Sequence, residues 1–166
     1  MDDAARWLTI DGRRWRASDP SIPPTLREEL VHALMEGRRA VAAAKRVGDD
    51  RQLAAARAEV HAAKLALGER GEPWWEPSTE QGLRERVRAT IDTLTRHRAP
   101  AGSICPSDVA RVVGGDAWRT RMALVRDVAA DLADGGHIDV TQRGAVLAGR
   151  AWSGPVRFRR RVDTTE

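Results

Sequence analysis

The chain has 166 residues, 42% hydrophobic and 31% charged, with 28 Lys+Arg against 24 Asp+Glu and a formal net charge of +4. That is the balance of a folded chain rather than a disordered one, and the length suits one ordinary domain or two small ones. A single cysteine excludes an internal disulfide, and no cysteine–histidine cluster along the sequence offers four zinc ligands. No apolar run approaches the ~18 residues of a membrane span, and the opening MDDAARW lacks the charged–apolar–small order of a signal peptide. The expectation is a cytoplasmic protein with no membrane partner, no metal and no cofactor. All basic residues but Lys45 and Lys64 are arginines in an alanine-rich chain. This is the habit of a GC-rich genome, so the arginine excess by itself signals no nucleic-acid chemistry. Six tryptophans, one phenylalanine and no tyrosine make indole rings the main large side chains.

In chain order, Asp11-Gly12 between Trp7-Leu8-Thr9-Ile10 and Arg13-Arg14-Trp15-Arg16 predicts a β-hairpin with a two-residue turn. Trp7 and Trp15 lie within reach of cross-strand pairing around it. Asp19-Pro20 and Pro23-Pro24 break the chain, and Thr25 opens a helix running to about Gly48, with Leu26, Leu30, Leu34, Val41 and Ala44 as its apolar seam. Asp49-Asp50 caps a second helix, in which Leu53, Val60 and Leu67 recur every seven residues with Ala56 and Ala63 between them. Small residues at alternate seam positions let two antiparallel helices approach closely. Gly68 and Gly71 stop this helix. Residues 72–79 contain Glu72-Pro73-Trp74-Trp75-Glu76-Pro77 and read as a linker. Trp74 and Trp75 are either pinned to the first module or form a protein-docking element.

Ser78 or Thr79 caps the next helix, carrying Leu83, Val87, Ile91 and Leu94 and ending near Arg98. Ser103-Ile104-Cys105 is extended, Pro106 starts a short helix, and Gly114-Gly115 ends it. Asp116 is expected to cap a long helix with Trp118, Met122, Val125, Ala129 and Leu132 inward, closed by Gly135-Gly136. A strand from His137 to Thr141, a turn at Gln142-Arg143-Gly144, a return through Leu147 and a last strand around Val156–Arg159 follow. This order is that of a winged helix-turn-helix, with the long helix in the recognition position. The expected fold is thus mainly α with small β elements. Residues 1–71 form a β-hairpin plus antiparallel αα-hairpin, 72–79 a Pro/Trp linker, 80–162 the winged helix and 163–166 a tail.

Ser103-Ile104-Cys105-Pro106-Ser107-Asp108-Val109-Ala110-Arg111, Trp118-Arg119, Val125-Arg126, Gly136-His137-Ile138-Asp139-Val140-Thr141-Gln142 and Gly154-Pro155-Val156-Arg157-Phe158-Arg159 carry a resemblance. Over about residues 80–160 the chain resembles an uncharacterised bacterial family of winged-helix-like domains of unknown function. The first half is similar to small bacterial proteins that share Trp7-x-x-Ile10-x-Gly12-Arg13-Arg14-Trp15-Arg16, Asp19-Pro20-Ser21-Ile22-Pro23 and Gly71-Glu72-Pro73-Trp74-Trp75-Glu76-Pro77. These are sometimes labelled Tol-type biopolymer transporters. The resemblances imply a fold and a boundary, and neither implies an activity.

Residues 1–79 carry 13 basic and 13 acidic side chains, whereas residues 80–166 carry 15 and 11 and hold the whole excess. Arg119, Thr120, Arg121 and Arg126 occupy the first half of the expected recognition helix, and Asp127, Asp131 and Asp134 the second. Gln142 and Arg143 lie at the wing, and Arg157, Arg159, Arg160 and Arg161 on the last strand and beyond. A recognition helix enters the major groove by its N-terminal part, and each arginine on a phosphate adds to a salt-dependent affinity. These ten residues are the candidate nucleic-acid contacts, with double-stranded DNA the expected partner. A protein-interaction module using Trp74 and Trp75 is the alternative. Cys105 at a helix start invites thiol chemistry, but needs a base such as His97 or His137 beside it. His32 and His61 could meet across the helical hairpin, yet two ligands define no metal site. With no paired catalytic carboxylates and no phosphate loop, an enzyme is not expected.

Overall fold

The computed structural model describes residues 3–162; the tail expected at 163–166 lies outside them. The chain runs α1 (Asp3–Arg6), β1 (Trp7–Ile10), β2 (Arg13–Arg16), α2 (Pro24–Val47), α3 (Asp50–Ala66), α4 (Glu80–His97) and α5 (Pro106–Gly114). A 3-10 segment (Gly115–Arg121), α6 (Met122–Asp134), β3 (Ile138–Gln142), β4 (Ala145–Val146) and β5 (Arg157–Arg160) follow. The fold is mainly helical with two small antiparallel sheets. Among the described residues, no helix is long and apolar enough to cross a membrane.

The hairpin turns at Asp11 (φ 51°) and Gly12 (φ 74°), the two positive angles of a type I′ turn. Its register pairs Trp7 with Arg16 and Leu8 with Trp15, so the two tryptophans are not partners and fall on opposite faces. Trp7 meets Trp75 edge-on at 5.8 Å, while the Trp15 ring lies 5.0 Å from the Lys64 ammonium.

Helices α2 and α3 form the αα-hairpin. Gly48 ends α2 in the left-handed conformation, and Asp49 caps α3 by accepting the Gln52 N–H at 2.8 Å. Leu26, Leu30, Leu34, Ala44, Ala56 and Ala63 are buried along the seam; Val41, Leu53 and Val60 are half-buried. A Cβ on Gly37 would come within 3.0 Å of Val60 Cγ2, a close approach that the leucine–alanine pattern did not reveal.

The Pro/Trp segment is anchored. The Trp74 indole donates to the Ala17 carbonyl at 2.9 Å, and Trp75 stands edge-on to Trp74, with Arg6 and Arg16 over its face at 5.2 and 5.6 Å. Thr79 then caps α4 by accepting the Gly82 N–H at 3.0 Å.

Beyond α5 the structure corrects an expectation. The α-helix does not begin at Asp116 but at Met122, and residues 115–121 form a 3-10 turn with a kink at Ala117 (φ −89°, ψ 16°). Seven residues connect two helices that both pack on the core, and a 3-10 turn, common as a connector at helix ends, carries the chain from one to the other. Gly115, at φ 50° and ψ −128°, supplies a backbone state closed to other residues. Asp116 is exposed and caps nothing; α6 has no side-chain cap. Val125, Ala129 and Leu132 face inward as expected, while Trp118 and Met122 are half-buried at the edge.

The second sheet has the order β4-β3-β5, with Ile104 bridging to Phe158 on the outer side of β5. The β3–β4 turn uses two residues, Arg143 (φ 50°) and Gly144 (φ 84°); Gln142 pairs with Ala145 and belongs to the strand. One buried cluster runs without a break from Ile22, Leu26 and Leu30 through Leu67, Ile91 and Leu94 to Val125 and Phe158.

Ala63 is 1% exposed on the helical seam, one turn from Val60, which closely approaches Gly37. Ala63→Leu should therefore overpack it and cost about 1–3 kcal/mol, read as a lower urea midpoint. An unchanged midpoint would show that α2 and α3 have room between them.

Candidate functional site

The ten candidates, eight of them arginines, fall into three groups. Arg119, Thr120 and Arg121 sit on the 3-10 segment, not in the first α-turn. The Arg119 guanidinium lies 4.5 Å from the Trp118 ring centroid and Arg111 4.8 Å from it, so the indole contacts two cations. The Thr120 hydroxyl donates to Ala117 O at 2.8 Å, within its own turn. Arg121 is half-buried, and its Nε finds no hydrogen-bond acceptor among the described residues. Arg143 is exposed at the β3–β4 turn.

Arg126 and Gln142 hold one loop from two sides. Arg126 donates to Trp152 O (3.0 Å) and Gly154 O (2.7 Å), and Gln142 to Ser153 O (2.9 Å) and Pro155 O (3.0 Å). The loop between β4 and β5 thereby ties the first turns of α6 to the end of β3. Trp152 packs edge-on against Phe158 beneath it at 6.5 Å. Arg126 and Gln142 thus shape the site, with these donors spent on backbone carbonyls.

The last-strand arginines are held internally. Arg157 donates to Ser103 Oγ (2.6 Å) and Ser103 O (3.0 Å), and Arg160 pairs with Asp92. Arg159 (3.3 Å) and Arg161 (2.8 Å) share Asp139. Burial pushes the Asp139 carboxyl up, but the two guanidiniums outweigh it and hold it below the usual range.

A further ladder involves residues outside the ten candidates. Asp127, Asp131 and Asp134 recur on one face of α6, and Arg150 from the β4–β5 loop reaches all three. Arg84 of α4 pairs with Asp127 at 2.7 Å and Asp131 at 2.8 Å from the other side. The Arg150 hydrogen bond is the main reason that Asp131 titrates below its ordinary value, with Arg84 adding to it. The four- and three-residue spacing was the legible signal; the arginines that answer it come from distant segments.

Trp74 and Trp75 are half-buried in the aromatic cluster described above. Cys105 is half-buried at the start of α5, where Ser107 Oγ lies 3.0 Å from its sulfur and the Asp108 carboxylate accepts its N–H at 3.2 Å. Among the described residues, no histidine hydrogen-bonds the thiol. His61 meets Arg70 at 3.1 Å, and the histidine that His32 meets is His97.

Residues 84–161 match the model of a family described as a protein of unknown function (DUF3253). No curated protein matches the chain. The matched region opens one turn into α4 and closes just after β5, so it contains α5, the 3-10 segment, α6 and the whole second sheet.

The Asp131 and Asp139 pairs predict a specific acid response. Both carboxyls titrate lower in the folded chain than the ~3.9 of an unfolded aspartate, so their stabilisation is complete above that value. It is lost as pH falls through the folded values. Asp139→Asn should lower the melting temperature at neutral pH, and the gap from the parent should narrow as pH falls below the ~3.9 of an unfolded aspartate. A gap constant with pH would show that Asp139 does not act through its charge.

Proposed function

We propose that residues 80–162 form a winged helix-turn-helix that binds nucleic acid, with duplex DNA as the preferred partner. Several features support this. α5, the tight Gly114-Gly115 junction and α6 follow one another as the helices of such a unit do, and Ile104 joins the sheet between α4 and α5. The β3–β4 turn and the loop to β5 take the place of the wing.

The carrying observation is the distribution of committed charge. Arg126, Arg157, Arg159, Arg160 and Arg161 are spent on internal acceptors, and the acidic row of α6 is answered by Arg84 and Arg150. Arg119, Arg121 and Arg143 form no ion pair among the described residues. They stand at the lead-in to α6 and at the wing turn, the two places from which this fold class reaches DNA. Because Arg119 and Arg121 precede the first α-turn, they suit phosphates flanking the groove better than base edges within it. The Trp118 indole between Arg111 and Arg119 adds an aromatic surface on the same segment.

A protein-docking role is the second reading, favoured by one observation. Leu8, Ile10 and Trp15 share a hairpin face and remain 50%, 54% and 43% exposed beside Val31 and Met35. Trp74 and Trp75, turned into their own cluster, add little to it.

The test is fluorescence anisotropy with a labelled duplex and a labelled single strand across a salt series. The unsubstituted chain should bind the duplex weakly and with a negative salt slope. Replacing Arg119, Arg121 and Arg143 with alanine should reduce that slope by about 0.9 for each phosphate left without its arginine. No binding to either probe at low salt would end the nucleic-acid reading in favour of protein docking.

A further inference from the structure

His32, Glu36 and His97 come together although α2 and α4 are far apart in sequence. His32 and Glu36 are one turn apart on α2, and His97 is the last residue of α4. Glu36 reaches both rings through its two oxygens: Oε2 lies 3.2 Å from His97 Nδ1 and Oε1 3.7 Å from His32 Nδ1. The rings stand 5.1 Å apart at 76° to each other, and one ligand atom from each of the three residues lies within 4.8 Å of the others. Ligands about 2.1 Å from a tetrahedral ion are about 3.4 Å apart, and the two carboxylate–imidazole separations, one to each oxygen of Glu36, lie on either side of that value.

A second observation points to the same place. Thr93, one turn before His97 on α4, is 2% exposed, and its hydroxyl has no hydrogen-bond partner among the described residues. It lines a cavity of about 50 Å³ with Ala33, Glu36, Glu59, Arg96 and His97. That is room for one water, and a buried hydroxyl without a partner is costly. Three protein ligands leave a coordination position that such a water fills.

We propose that His32, Glu36 and His97 bind a divalent transition-metal ion of the Zn²⁺ class, with a bound water in the Thr93 cavity. Two imidazoles and one carboxylate are the donor set such an ion accepts, and hard cations such as Mg²⁺ would demand more oxygen. The neighbouring cations do not oppose it, because Arg96 is paired with Asp92 and Glu59, and Arg98 with Glu29 and Asp108. The ion would fasten the middle of α2 to the end of α4, and it requires both histidines neutral. This site is independent of the nucleic-acid reading.

The experiment uses the full chain without an affinity tag at neutral pH. Co²⁺ serves as the spectroscopic probe and Zn²⁺ is titrated calorimetrically. One Zn²⁺ should bind per chain, displace the Co²⁺ absorption band and raise the melting temperature. His32→Asn, at an exposed position that leaves the fold intact, should weaken Zn²⁺ at least about tenfold, as should Glu36→Gln and His97→Asn. Thr93→Val should weaken it less. The His32→Asn/His97→Asn double variant should lose both the Co²⁺ band and the thermal shift. Absence of a one-to-one complex at millimolar Zn²⁺ would overturn the proposal, as would affinity unchanged in His32→Asn.

Discussion

The ion pair between Asp19 and Arg86 fixes the relation of the first half of the chain to the second. The two side chains are only 8% and 15% exposed and meet at 2.9 Å. Arg86 on α4 also donates to Ala66 O at the end of α3 and to Val112 O in α5, both at 3.3 Å. The other Asp19 oxygen accepts from the Ser21 N–H and hydroxyl, and the Asp19 N–H donates to Leu67 O. A buried guanidinium and carboxylate are tolerable only when so many of their valences are met. This pair therefore sets where α3 ends, where α5 ends and how the loop before α2 turns.

The consequence reaches the candidate site. Gly115, where the 3-10 segment starts, lies against Ser21: a Cβ there would come within 3.1 Å of the Ser21 side chain. The turn that Asp19 organises is thus the surface against which the lead-in to α6 is laid. The N-terminal module acts as a support for the segment carrying Trp118, Arg119 and Arg121. Charge is arranged to the same end. The chain is rich in arginine, but most of those on β5 and around α6 hold segments together, through Asp139, Asp92, Ser103 and the α6 aspartates. A net charge of +4 says little about function until these commitments are subtracted.

Local chemistry was legible in the sequence. Asp11-Gly12, the Asp49 and Thr79 caps, Pro106 at the first position of α5 and the alanine-lined seam each follow from one residue's backbone or side-chain preference. The lead-in to α6 was misleading because Asp116 after two glycines has the sequence of a cap. Packing between α5 and α6 then imposed a 3-10 turn that no propensity announces. The ion pairs were illegible for a different reason: Asp19 and Arg86 are 67 residues apart, and Asp92 and Arg160 are 68 apart. Arginines destined for internal acceptors look identical, in sequence, to arginines that meet a partner. The candidate arginines were therefore readable as charge, and none of them as commitment.

The claim that one buried ion pair binds the two halves into a single cooperative unit is tested by hydrogen exchange on Arg86→Met, resolved into peptides from α3 and from β3–β5. Leaving Asp19 buried without its partner should cost about 3–5 kcal/mol. Protection of the slowest amides in both regions should fall by the same amount, with one unfolding transition. Loss of protection in α3 alone, with β3–β5 exchanging as in the parent, would show two halves that fold independently and would contradict the claim.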